Sequence, residues 1–188
     1  MERVALLYAS RDGQTLRIVE RIAHCLRQRQ VRVRILKLEP FDHWPLDSGE
    51  LPVVCAPIRY GKHLPEARAF VSAFHSELQS QRSAMVSINL TARKPNRSTP
   101  ANNPYLKRFL QANDWRPRIQ AVFAGALEYE RYPWWDRLLI RMIMRLTGGP
   151  IEGGQRYEFT DWTAVERFAS QLADPLAGEA EAEEGVSP

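Results

Sequence analysis

Six residues near the start of the chain, Ser10, Arg11, Asp12, Gly13, Gln14 and Thr15, link a short apolar run to an amphipathic stretch, and their types suit an anion. Ser10 and Thr15 bring hydroxyls, Gly13 lets the backbone curl close, and the spare amides of a helix start point outward. The turn is neither the Gly-x-x-x-x-Gly-Lys-Ser/Thr loop nor the Gly-x-Gly-x-x-Gly fingerprint. A single glycine with two hydroxyls suits one monophosphate and points to flavin mononucleotide (FMN). An ordinary capped turn fits the same six residues. Asp12 beside a phosphate is repulsive, so it is expected to turn outward and cap the helix, with Arg11 supplying compensating charge.

Two further turns add to the first. Pro57, Ile58, Arg59, Tyr60 and Gly61 follow the third strand, where Tyr60 is placed either to lie along a flat heterocycle or to fold onto the surface. Ser87, Asn89, Leu90 and Thr91, then Ala92 and Arg93, follow the fourth and suit the edge of the same ring. Arg93, Lys94 and Arg97 suit substrate carboxylates, or make a solvated charged loop. Residues 126–148 are richer still: Tyr129, Arg131 and Trp134 precede Arg137, Arg141 and Arg145, which recur every four residues. Their helical part, residues 134–147, is about 21 Å long at 1.5 Å per residue, too short to span a bilayer. A cationic ridge beside tryptophans and a wide apolar face fits a helix lying in a membrane interface. The same pattern also fits packing on the sheet or a dimer partner. No His/carboxylate pair stands out as a general base; His24, His43 and His75 read as structural or solvated, and His63 remains an outside candidate because it closely follows Gly61.

These turns need a scaffold that gathers them at one edge. Residues 3–9 and 51–56 are continuous apolar runs, the mark of strands buried on both faces. Val31, Val33 and Ile35 alternate with Arg32 and Arg34, as on an edge strand. Strands are also expected at 84–90 and 119–127. Helices are expected from Thr15, over 65–79, over 105–113 and over 161–173, the last capped by Thr160 or Asp161. This α/β alternation implies a parallel sheet covered on both faces, with ligands beyond the carboxyl ends of its strands.

Composition agrees with one globular domain: 188 residues, 44% hydrophobic and 26% charged. Cys25 and Cys55 are too few for a disulfide framework, and no cluster suggests a metal. No secretory signal and no membrane-spanning run is read, so the cytoplasm is the expected compartment. The net charge of +4 conceals a basic body, because residues 174–188 carry five acids and no base. Residues 1–173 hold 26 bases, 22 of them arginine, against 17 acids, a net +9. An anionic partner is implied. The tail from Asp174 is expected to be disordered.

The residues at 10–15, Ile-Arg-Tyr-Gly at 58–61, Ser-Ile-Asn-Leu-Thr-Ala-Arg-Lys-Pro at 87–95, Trp-Arg-Pro at 115–117, Ala-Gly-Ala-Leu at 124–127 and Thr-Asp-Trp at 160–162 resemble the bacterial menaquinone-dependent protoporphyrinogen IX dehydrogenases, a flavodoxin-like family of haem biosynthesis. The resemblance covers residues 3–173 and implies a five-stranded, doubly wound flavodoxin-like sheet with an inserted amphipathic helical segment at 126–148. It implies FMN held by residues 10–15, 57–61 and 87–93. It implies oxidation of protoporphyrinogen IX in three two-electron steps, with electrons passed to a membrane quinone, menaquinone or ubiquinone. By position it offers Arg93, Lys94, Arg97, Tyr129, Arg131, Trp134, Arg137 and Arg141 to substrate, and peripheral attachment to the cytoplasmic face of an anionic inner membrane. A nucleic-acid partner is not implied, and an oligomer is left open. Other functions compatible with the residues are a soluble flavodoxin-type electron carrier, an NAD(P)H-dependent quinone reductase, or a basic module without flavin.

Overall fold

The apolar runs assemble as their periodicity demands. The computed structural model describes residues 3–128 and 156–174. Its elements are β1 (Arg3–Tyr8), α1 (Gln14–Gln28), β2 (Arg32–Lys37), β3 (Glu50–Arg59), β4 (Lys62–His63), α2 (Pro65–Ala73), α3 (His75–Ser80), β5 (Ala84–Ile88), α4 (Pro104–Ala112), β6 (Ile119–Phe123), β7 (Ala126–Glu128), β8 (Arg156–Glu158) and α5 (Trp162–Ala173). Five strands pair in parallel in the order β2-β1-β3-β5-β6, with β4 antiparallel on β3. The chain leaves β1 toward β2 and then returns to β3 on the other side, so the crevice between β1 and β3 is where a ligand belongs.

Each central strand feeds two cores, because successive side chains face opposite ways. Val4 and Leu6 join Val53, Cys55 and Val86 in a cluster covered by α1 and α5. Ala5 and Leu7 join Val54, Met85 and Val122 in a second cluster, under α2, α3 and α4. Trp115 is buried there, its indole N–H donating to Ser83 Oγ at 3.2 Å, so the Trp-Arg-Pro motif is a packing feature. β2 is the half-exposed edge the alternation predicts.

The structure corrects several boundaries. The third strand runs on to Arg59 and turns back as β4, so residues 58–63 are a hairpin rather than a turn following the strand. The single helix expected over 65–79 breaks at Phe74 (φ −118°, ψ 33°) into α2 and α3. The loop after β5 contains two short 3-10 turns, Leu90–Arg93 and Pro95–Arg97. The strand expected over 119–127 is two strands, and β7 pairs antiparallel with β8. Asp161, not Thr160, caps α5, accepting from the Ala164 amide at 3.0 Å. Tyr129, Arg131, Trp134, Arg137 and Arg141, with the helix expected at 134–147, lie outside the described residues, as does the tail beyond Asp174. Among the described residues no helix is long and apolar enough to cross a membrane.

The two-sided core makes β1 sensitive to cavities. Leu6→Ala, at a fully buried position, is expected to cost about 3 kcal/mol of unfolding free energy. Val33→Ala, on the half-exposed edge strand, is expected to cost about 1 kcal/mol or less. Urea titration of the two variants checks the difference.

Candidate functional site

Three loops meet at the carboxyl edge of the sheet, and Ser10, Thr15, Pro57, Asn89, Leu90 and Gly125 line one cleft. The first loop is built around Gly13, whose φ of 85° is left-handed, a conformation that costs other residues roughly 1–2 kcal/mol. That bend starts α1 without a side-chain cap. Ser10 Oγ accepts from the Gly13 amide at 3.1 Å, closing the turn. The first amide of α1 to find a backbone acceptor is that of Arg17, on Gly13 O at 3.1 Å. The amides of residues 14–16 are therefore left at the helix start, beside the buried Thr15.

Arg11, Asp12 and Gln14 also border the cleft, but their side chains are engaged with neighbouring elements. Asp12 does not cap α1; it lies 3.7 Å from Arg59 Nη1. Arg11 is drawn 3.0 Å from Glu66, at the start of α2. Gln14 offers a ligand only its backbone amide, because its side-chain N–H groups donate to Glu158 at 2.7 Å and to Thr160 Oγ1 at 2.8 Å. Arg156 and Arg17 both donate to the Gln14 side-chain oxygen and to Glu158. Thr160 Oγ1 in turn donates to Ala124 O at 2.9 Å. Sequence reasoning missed this cluster, whose partners stand more than 140 positions apart.

The second loop is the tip of the β3–β4 hairpin. Tyr60 (φ 51°) and Gly61 (φ 75°) are both left-handed, the geometry of a tight hairpin turn. Tyr60 is 66% exposed, with the Arg59 guanidinium 5.5 Å from its ring centre. A large aromatic held out beside the cleft mouth is a surface on which a flat ring can stack.

In the third loop, Asn89 is the scaffold. Its side-chain oxygen accepts from Thr91 Oγ1 at 2.7 Å and from the Ala92 amide at 3.1 Å. Its own amide donates to Phe123 O at 3.0 Å. Ser87 is fully buried beneath the loop, and His63 Nε2 is 2.9 Å from its Oγ. Arg93 donates to Leu90 O at 2.9 Å and lies over the Phe159 ring, 5.9 Å from its centre. The backbone carbonyl of Arg97 accepts from Asn103 at 2.8 Å. Lys94 and Arg97 do not line the cleft.

His63, expected in or near a loop, is on β4 and 5% exposed, its ring 4.4 Å from that of Phe109. Burial lowers its pKa from 6.5 to about 3, so it stays neutral at physiological pH. Burial likewise pushes the Cys55 thiol far up and makes it inert. Among the described residues no group of three or more His, Cys, Asp or Glu is placed to hold a metal.

The cleft fits FMN. Spare helix-start amides and the Thr15 hydroxyl suit its phosphate, an exposed aromatic suits its ring, and Gly125 keeps the wall close. A Cβ on Gly125 would meet Ile88 at 3.3 Å.

Comparison with known proteins agrees. A family model described as Flavodoxin domain matches residues 5–152. The chain is 40% identical over 174 residues to a Leishmania major protein named protoporphyrinogen IX dehydrogenase (quinone), covering 92% of this chain and 75% of that one. It is 36% identical over 171 residues to the Escherichia coli K12 protein of the same name, covering 91% and 94%. Among solved structures it is similar to oxidised flavodoxin 1 from Bacillus cereus, with TM-score 0.53 and 13% identity over 92% of this chain and 97% of that one. It is also similar to a short-chain flavodoxin associated with a bacterial microcompartment, with TM-score 0.52 and 15% identity over 92% and 97%. At such identities the structural likeness speaks to fold alone.

The buried His63 gives a pH signature. Its folded-state pKa lies below the unfolded value, so its contribution to stability is complete above pH 6.5 and is lost as pH falls toward 3. Unfolding free energy should drop by up to about 1.4 kcal/mol per pH unit from this group in that window. His63→Gln, which keeps a partner for Ser87 but cannot titrate, should show a slope shallower by up to one proton between about pH 6 and 4. Urea titrations across that range test it.

Proposed function

We infer the function from one premise: this chain belongs to the flavodoxin domain family, and within it to the quinone-dependent protoporphyrinogen IX dehydrogenases. It is an FMN-dependent oxidoreductase that converts protoporphyrinogen IX to protoporphyrin IX and delivers the electrons to a quinone. The observation that carries this is the uncapped start of α1 at the sheet's switch point, in a chain matching named dehydrogenases over nine-tenths of its length. Bound FMN supplies two-electron redox chemistry, used three times per substrate.

The protein's own groups bind and orient. The amides of residues 14–16 and the hydroxyls of Ser10 and Thr15 would hold the phosphate. The Tyr60 ring would stack on the flavin, and the loop from Asn89 to Arg93, braced by the Asn89 side chain, would supply polar groups to its edge. Arg93, Lys94 and Arg97, with Tyr129, Arg131, Trp134, Arg137 and Arg141 from the segment between β7 and β8, serve the tetrapyrrole and the quinone. The arginine ridge and tryptophans of that segment, read from sequence, support peripheral attachment to an anionic membrane where a quinone resides. The cytoplasmic face of the inner membrane is the location this implies.

FMN titration of the apoprotein is expected to be saturable, and Gly13→Ala is expected to weaken it by about tenfold, through strain at φ 85°. Anaerobically, the FMN-loaded protein should oxidise protoporphyrinogen IX when a quinone is present. Replacing residues 129–155 by a short glycine link between β7 and β8 should leave FMN bound and slow this turnover about a hundredfold or more. A wild-type protein that takes up FMN but leaves protoporphyrinogen untouched would return the chain to an electron-carrier role.

A further inference from the structure

The β3–β4 hairpin, α2 and α4 border another cavity, of about 180 Å³. Three cations border it: Lys62 on β4, Arg68 on α2 and Arg108 on α4. No carboxylate lines it. Elsewhere the molecule pairs arginines with acids: Arg11 with Glu66, Arg17 with Glu158, Arg21 with Glu166 and Arg34 with Glu50. Lys62, Arg68 and Arg108 have no such partner within 4 Å among the described residues. Three like charges drawn from three elements around one hollow repel one another, and an anion between them relieves that repulsion.

The lining also specifies what the anion is attached to. Phe109 and Ala112 form an apolar wall, and the neutral His63 ring is packed against Phe109. Tyr105 borders the same hollow, 3.8 Å from where a Cβ on Gly61 would stand. This lining suits a carboxylate on a short apolar arm, and the hollow is too small for a tetrapyrrole as a whole. Gly61 belongs both to this cavity and to the hairpin tip that carries Tyr60. The cavity floor is joined to the cofactor cleft by hydrogen bonds, His63 to Ser87 at 2.9 Å and Asn89 to Ser87 at 3.4 Å.

We propose that this hollow is a carboxylate subsite in which Lys62, Arg68 and Arg108 hold a propionate of the tetrapyrrole while its ring system extends past the hairpin tip toward the flavin. The subsite rests on the dehydrogenase function proposed above and adds its specificity: a substrate bearing free carboxylates. Because the guanidinium groups are exposed, the attraction is screened by salt and acts on binding rather than on the chemical step.

The test uses the full-length, FMN-loaded protein and the double variant Arg68→Gln/Arg108→Gln. Arg29→Gln/Arg116→Gln, which removes the same charge from exposed positions outside the cavity, is the control. Two readouts run in parallel: KM and kcat for protoporphyrinogen IX and for its dimethyl ester, and fluorescence titration with protoporphyrin IX and its dimethyl ester. Expected for the double variant is a rise of about tenfold in KM and in Kd for the free acids, with kcat little changed. The esters should bind the wild type and both variants alike, and the control should behave as wild type. Equal weakening of acid and ester, an unchanged affinity for the acid, or an equal effect in the control overturns the subsite. Selective loss of acid binding in a protein that turns over no porphyrinogen would sustain the subsite and sink the dehydrogenase function instead.

Discussion

A helix start that keeps its amides for a ligand is the constraint on which the rest of the molecule depends. Of the other described helices, α2 and α3 also lack a side-chain cap, whereas α4 and α5 spend that resource internally. The side chain of Asn103 accepts from the first amides of α4, and that of Asp161 does the same for α5. α1 instead begins on a left-handed glycine with no side-chain cap. Its free amides create a local positive end that water can satisfy but a phosphate satisfies better. A serine or aspartate in place of Gly13 would both strain the backbone and fill the vacancy.

That choice forces the surrounding electrostatics. Two carboxylates stand close to the phosphate turn, and each is matched to a guanidinium from another element, Asp12 to Arg59 and Glu66 to Arg11. At their exposures these pairs contribute little to stability. Their consequence is local: each carboxylate is neutralised, and the turn is tied to the β3–β4 hairpin and to the start of α2. The hairpin tip, held by Arg59 on one side, projects Tyr60 outward.

What was legible in the sequence follows from range. Continuous apolar runs at 3–9 and 51–56 read as strands buried on both sides, and the single glycine of residues 10–15 announces the bend, so the sheet and its principal turn were readable locally. The hairpin at 58–63 was half readable. Tyr60-Gly61 signals a turn, but only pairing with β3 shows that the strand continues to Arg59 and that parity buries His63. The break between β6 and β7 depends on Gly125 lying against Ile88 and accepting from the Phe159 amide, contacts no local pattern encodes. The side-chain partners of Gln14 and Arg11, Glu158 and Glu66, are remote in sequence and not readable locally.

Gln14 also explains how a flavodoxin-type core can carry an additional segment without losing its cofactor turn. Its backbone amide is among those left at the start of α1, while its side chain donates to Glu158 and Thr160 and accepts from Arg156 and Arg17. Glu158 and Arg156 belong to β8, the strand by which the chain returns after residues 129–155. The side-chain amide is buried, so loss of its partners would leave it unsatisfied, at a cost of about 1–3 kcal/mol. The cheapest arrangement keeps β8 seated on α1. Since among the described residues β8 pairs only with β7, that same cluster fixes the hairpin from which the intervening residues depart. One residue thus ties the turn that starts α1 to the hairpin from which residues 129–155 depart, and the two cannot be positioned independently.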